Sequence, residues 1–246
     1  MKQRHFEQRL PLPEEQIAYF CMEMGLTDQM PTYSGGLGVL AGDTLKSLAD
    51  LRVPSVGVSL LYQFGYFEQH VDEQGVQTSS PEEWNPHDFM KPLPQKVTIE
   101  IEGRTVHIGV WEYSVHGRSD FEVPIYFLDT NVEENADQDK EITNYLYIGD
   151  DRHRFKQEIV LGIGGVRMLN QMGCNNIDKY HMNEGHSSLL TVELLHHIYD
   201  EDQDMDDNLH ILRDKCIFTT HTTVPAAHDR FDKSMVHEIL GESYIP

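Results

Sequence analysis

Three glycines in four positions, Gly35-Gly36-Leu37-Gly38, run straight into a stretch that forms a helix. A turn of this kind brings backbone N–H groups close to a ligand and aims the positive end of a helix at it. Side chains at Gly35, Gly36 and Gly38 are expected to block that approach, which points to an anion or a sugar held by main-chain amides. Gly36-x-Gly38-x-x-Ala41 formally fits a dinucleotide fingerprint, but the preceding apolar strand ends more than ten residues earlier, across Gly25 to Pro31. A Walker lysine is also missing, so a nucleoside triphosphate loop is excluded. The remaining alternative is a tight turn that serves helix packing and binds nothing.

Two further clusters have the residue types for ligand contact. Asn183-Glu184-Gly185-His186 and His221-Thr222-Thr223 each follow a short apolar run, the position at which open α/β sheets bind ligands. Each alone also reads as a cap or a packed polar group. Convergence of both on the crevice of the glycine turn carries the functional reading. Glu184 and Asp43 are candidates for a carboxylate pair, with no separation legible from sequence. No Gly-x-Ser-x-Gly elbow is present, and no serine or cysteine has a nucleophile's setting.

The elements that must position these residues alternate. Ile17–Met22 reads as a buried strand, 39–51 as a helix with Leu40, Leu45, Leu48 and Leu51 near helical spacing, and Ser55–Tyr62 as a second strand. Together they form a βαβ unit, expected to cross over right-handed. Residues 96–115 alternate apolar and polar around Glu102-Gly103 and predict a hairpin at the rim of the sheet. Strand 123–128, a long helix over 151–172, strand 180–182, helix 187–199 and strand 215–220 complete the pattern. Phe155, Ile159, Leu161, Ile163, Val166 and Leu169 form the long helix's buried face. The fold class is α/β, a mostly parallel Rossmann-like sheet with helices on both faces, and no linker divides the chain.

Composition removes several function classes. The 246 residues carry 19 Lys+Arg against 41 Asp+Glu, a formal charge of −22, which opposes nucleic acid and anionic lipid. The acidic runs 132–141 and 200–207 lack calcium-loop spacing and read as solvated loops. Three separated cysteines and no His-Glu-x-x-His helix support neither disulfide nor metal site, and no apolar run spans a bilayer. The chain reads as cytoplasmic.

Ala18-Tyr-Phe-Cys-Met-Glu23, Tyr33-Ser-Gly-Gly-Leu-Gly-Val-Leu-Ala-Gly-Asp43, Asp151-Arg-His-Arg-Phe-Lys-Gln157, His181-Met-Asn-Glu-Gly-His186 and Thr220-His-Thr-Thr-Val-Pro225 together closely resemble the α-glucan (glycogen/maltodextrin) phosphorylases in their short bacterial and archaeal form. The likeness runs from about Ile17 to Phe231. It implies that residues 1–246 are the N-terminal Rossmann-like domain of a GT-B glycosyltransferase, with the hairpin at about 96–115 as an insertion. The implied reaction is phosphorolysis of terminal α-1,4-glucosyl bonds by orthophosphate, releasing glucose 1-phosphate. In that family pyridoxal 5'-phosphate (PLP) serves through its phosphate group. The resemblance gives Gly35, Gly36, Leu37 and Gly38 the phosphate and glucosyl contacts and His221 a hydrogen bond to the glucosyl unit. Glu184 and His186 would line the same pocket.

The family's PLP lysine belongs to a C-terminal domain that this sequence does not contain. The chain by itself is therefore expected to be inactive and to bind PLP weakly or not at all. An uncovered apolar face and self-association, as a homo-oligomer, are expected with it. The alternatives are a glycogen or starch synthase-like GT-B domain and a non-catalytic carbohydrate-binding module. Synthases usually carry a lysine before the glycine loop, where Tyr33-Ser34 stand here.

Overall fold

The computed structural model describes residues 16–147, 149–221, 229–241 and 244. Seven strands form one sheet in the order β5-β6-β7-β2-β1-β8-β9. β1 (Gln16–Phe20), β2 (Ser55–Leu60), β7 (Glu122–Asp129), β8 (Ile177–Asn183) and β9 (Cys216–Thr219) run parallel. β5 (Lys91–Ile101) and β6 (Arg104–His116) are the expected hairpin, added antiparallel beside β7 at one rim. Its turn residues Glu102 and Gly103 have φ of 53° and 69°, which a two-residue turn matching the strand twist requires. The polar hairpin β3 (Glu68–Val71) and β4 (Gln77–Ser80) stands apart from this sheet.

Successive β1 residues enter opposite cores. Ala18, Phe20 and Met22 join one apolar cluster, while Tyr19 and Cys21 join the other. On the second face lies α1 (Gly36–Leu51), which packs through Gly38, Ala41, Gly42, Leu45 and Ala49. The spaced leucines do not all lie on that face. Leu40 and Leu51 are 39% and 73% exposed, because small residues let the helix lie close on its neighbours.

The opposite face is covered by α3 (Asp151–Ile159), α4 (Gly165–Gln171), α5 (Leu190–Ile198), α6 (Met205–Lys215) and α7 (Lys233–Leu240). A π-turn over Val160–Gly164 joins α3 to α4, and all five of its residues are buried. The second acidic run is exposed from Glu201 to Asp207, as a solvated run should be, whereas the first departs from that reading. The first contains the short helix α2 (Asp137–Lys140), whose buried Asp139 takes two hydrogen bonds from Arg104, at 2.7 and 3.2 Å. The second supplies Asp204 as the N-cap of α6, accepting the Asp207 N–H at 2.8 Å. At the β9 rim, Ile217 and Phe218 are 40% and 54% exposed. Among the described residues no helix is long and apolar enough to cross a membrane.

Candidate functional site

The crevice is built where β1, β8 and β9, adjacent and parallel, end at one edge of the sheet. β1 delivers Glu23, 2% exposed, against the glycine turn. Its carboxylate accepts the Ser34 N–H at 2.7 Å, the Gly35 N–H at 3.3 Å and the Tyr147 hydroxyl at 2.9 Å. A buried carboxylate thus fixes the two residues before α1, at the helix end whose first-turn donors lack intrahelical partners. Gly36, Leu37 and Gly38 N–H have no acceptor among the described residues.

The glycines divide into two kinds, which refines the expectation that all three hold open a ligand's path. A Cβ on Gly38 would lie 2.4 Å from Tyr33 Cβ and 2.9 Å from the Glu23 carboxylate, so this glycine serves internal packing. A Cβ on Gly42 would lie 2.0 Å from the Gly25 carbonyl oxygen. At Gly35 and Gly36 a Cβ would meet nothing within 4 Å, and both residues are exposed. Leu37 is half-buried beside them.

His221 is bracketed by Asn183, which ends β8, and Glu184, which follows it. Its Nε2 lies 2.8 Å from Asn183 Oδ1, and its main-chain N–H donates to the Glu184 carboxylate, which also accepts from the Thr220 hydroxyl at 3.1 Å. Asn183 and Glu184 are buried, at 0% and 4% exposure, whereas His221 is exposed. Glu184 has φ +69°, a left-handed value that costs a non-glycine residue about 1–3 kcal/mol and gathers at functional sites. Thr222 to Pro225 of the same motif lie outside the described residues.

Struts join the two halves. His186, 4% exposed, accepts the Met22 N–H on Nε2 at 3.0 Å. Burial, with the Arg154 guanidinium nearby, pushes its imidazole down to about 3, so it is a neutral acceptor. Its observed contact is thus to the main chain between the two clusters. Asn183 Nδ2 donates to Cys21 Sγ at 3.3 Å, tying β8 to β1. Arg154 lies over the Tyr147 ring at 4.7 Å, abuts Met22 and pairs with Asp229 at 3.3 Å. Glu158 and Asp229 line a cleft of 200 Å³ beside Gly185. Burial, reinforced by Asp229, pushes the Glu158 carboxyl up to about 9.

Asp43 is exposed on the second turn of α1, while the Glu184 carboxylate is engaged with the β9 end. Sequence reasoning missed Glu23, Asn183, Tyr147 and Arg154. Glu23, Arg154 and Asn183 lie inside the quoted motifs, which gave them a local signal but no role, whereas Tyr147 lies outside them.

The amides of Gly36, Leu37 and Gly38 suit a phosphate oxygen. Among the described residues, however, no lysine ammonium contacts Glu23, Glu184, Asn183 or His221: Lys156 pairs with Glu102, and Lys179 donates to the Asp214 carbonyl. The described crevice therefore does not fit a PLP Schiff base. No group of three or more His, Cys, Asp or Glu among the described residues could hold a metal ion.

Comparison with known proteins agrees with the motifs. The carbohydrate phosphorylase family model matches residues 27–145. The maltodextrin phosphorylase of Thermococcus litoralis is 39% identical over 244 residues, covering 96% of this chain and 29% of that protein. The glycogen phosphorylases of Mycobacterium tuberculosis H37Rv and Aquifex aeolicus are 38% and 33% identical, covering 92% and 90% of this chain but 27% and 32% of theirs. The chain thus spans about a third or less of the length of these relatives, and over that span its matches are to carbohydrate phosphorylases.

Proposed function

We propose that this chain supplies one wall of a phosphorylase pocket, the N-terminal GT-B portion of an enzyme that cleaves terminal α-1,4-glucosyl bonds with orthophosphate to give glucose 1-phosphate. The observation that carries the reading is the placement of the glycine turn and His221 on one sheet edge, each clamped by a buried carboxylate, Glu23 and Glu184. Glu23 takes the Ser34 and Gly35 amides and sets the turn. The Gly36, Leu37 and Gly38 amides are then the donors left for phosphate and sugar oxygens, at the end of α1 where negative charge is favoured. His221 contacts the glucosyl unit. His186 acts through the Met22 backbone as a strut rather than as a ligand contact.

PLP belongs to this reading only in the complete enzyme, since the described crevice has no lysine to hold it. The reading keeps the chain alone inactive. Phosphorolysis by the 246 residues alone would refute that part.

Equilibrium binding of a maltooligosaccharide, with and without glucose 1-phosphate, tests the pocket itself. Weak binding that strengthens with glucose 1-phosphate, and is lost in Gly36→Val and His221→Ala, is expected. Binding unaffected by both substitutions would overturn the assignment. Tight glucan binding indifferent to phosphate would favour a carbohydrate-binding module instead.

A further inference from the structure

Asn183 is 0% exposed, yet its amide lies between two functional elements. On one side its Nδ2 donates to Cys21 Sγ; on the other its Oδ1 lies 2.8 Å from His221 Nε2. That arrangement turns the Asn183 NH2 group toward Cys21 and its carbonyl oxygen toward the imidazole. A carbonyl oxygen can only accept, so the ring nitrogen facing it must carry a proton.

We propose that Asn183 fixes His221 as its Nε2–H tautomer, so that Nδ1 presents a lone pair and selects a ligand group that donates a hydrogen bond, such as a sugar hydroxyl. Asn183 is a positioning residue here, acting through His221. The tautomer stands on protein contacts alone, and only the ligand class rests on the reading of the crevice as a glucosyl pocket.

The surroundings oppose other arrangements. Glu184, the nearest carboxylate, is spent on the His221 main-chain N–H and the Thr220 hydroxyl. His181, the other titratable group beside the ring, is turned to Thr219 Oγ1. Burial and the neighbouring His221 both push the His181 imidazole down, so it does not compete as a cation. The Cys21 thiol, pushed up to about 12 mainly by burial, stays protonated and uncharged. With the backbone clamped and Nε2 engaged, Nδ1 has no partner among the described residues, and His221 remains exposed. A bound group with only acceptor atoms, such as an ether oxygen or a phosphate dianion, would face lone pair against lone pair.

Long-range 1H–15N correlation spectra of the neutral 246-residue chain read the tautomer directly. A pyrrole-type shift at His221 Nε2 with a pyridine-type shift at Nδ1 is expected. A protonated Nδ1, or an exchanging mixture, would overturn the inference. Asn183→Asp keeps an acceptor oxygen and should keep the Nε2–H signature; Asn183→Leu should lose it, and retention in Asn183→Leu would also overturn the inference. If Asn183→Leu does not fold, the parent chain and Asn183→Asp still decide. A separate maltotriose titration tests the glucosyl reading, so either result can fail without the other.

Discussion

Replacing Gly42 and Gly36 by alanine, one at a time, makes the same chemical change twice on one helix with opposite steric consequences. At Gly42 the new Cβ would lie 2.0 Å from the Gly25 carbonyl oxygen and 2.7 Å from its carbon, where ordinary contact begins at 3.4 Å. Both neighbours are backbone, so no side chain can swing away and α1 must lift from the loop that follows β1. Lifting it stretches the Gly25 N–H to Gly38 carbonyl bond, now 2.7 Å, worth about 1 kcal/mol. Overpacking adds up to about 3 kcal/mol, and alanine's better helix propensity returns about 1 kcal/mol. Gly42→Ala should therefore cost about 2–3 kcal/mol, a fall of about 4–12 °C in midpoint for a chain of this size. At Gly36 nothing lies within 4 Å, and alanine should stabilise by about 0.5 kcal/mol through the unfolded chain. Urea and thermal unfolding of the two variants in parallel provide the assay. Gly42→Ala as stable as Gly36→Ala would refute the close approach of α1 to the loop and, with it, the division of the glycines into packing and ligand-facing kinds.

Three pH-dependent outcomes follow from the buried ionisable groups. Burial pushes the Glu102 carboxyl up, but hydrogen bonds from Lys156, Arg104 and Arg152 outweigh it and hold the group at about 2. That stability is present above the ordinary carboxylate value near 4.5 and is lost as pH falls toward 2. Glu102→Gln should cost about 1–3 kcal/mol at pH 7 and flatten the acid limb of a urea-midpoint profile, whereas an unchanged acid limb would contradict the network. His186 titrates at about 3 in the folded chain, so the unfolded state binds more protons between there and 6.5 and stability falls as pH drops through that window. His186→Ala strands the Met22 N–H, should cost about 1–3 kcal/mol at pH 7 and should remove that slope, as measured by chemical denaturation. Glu158, held protonated up to about 9, works the other way: the folded state binds the extra proton, so stability declines from about pH 4.5 to 9. Glu158→Gln should leave midpoints unchanged near pH 5 and raise them above the parent by pH 9; parallel profiles would show that Glu158 is ionised.

The sequence carried the sheet further than the site. β1, β2 and the β5–β6 hairpin were legible because their burial alternates or is complete, and Glu102-Gly103 announces its own turn. The α1 face was not legible because leucines outweigh glycine and alanine in any periodicity reading, whereas close approach over Gly25 selects the small residues. The π-turn at Val160–Gly164 leaves no trace in a run that is apolar on every side. β3 and β4 were missed because nearly every side chain on them is exposed, which erases the period-2 pattern. α6 was missed because its capping Asp204 sits in an acidic run that reads as solvent-facing.

At the site, the motifs placed Glu184 and His221 at strand ends but the glycine turn more than ten residues past one, and Glu23 ties that turn back to the β1 end. Glu23 was opaque because its partners, Ser34 and Tyr147, are 11 and 124 residues away and only the fold brings them to it. Asn183 lay in plain view, yet its action on His221 depends on a β8–β9 pairing that spacing does not reveal.

Amide-resolved NMR of the chain, titrated with glucose 1-phosphate, tests the shared pocket most directly. The account predicts saturable shifts at the Gly36, Leu37 and Gly38 N–H groups and, at the same ligand concentration, at the His221 ring. Shifts confined to one of the two, or to neither, would contradict it.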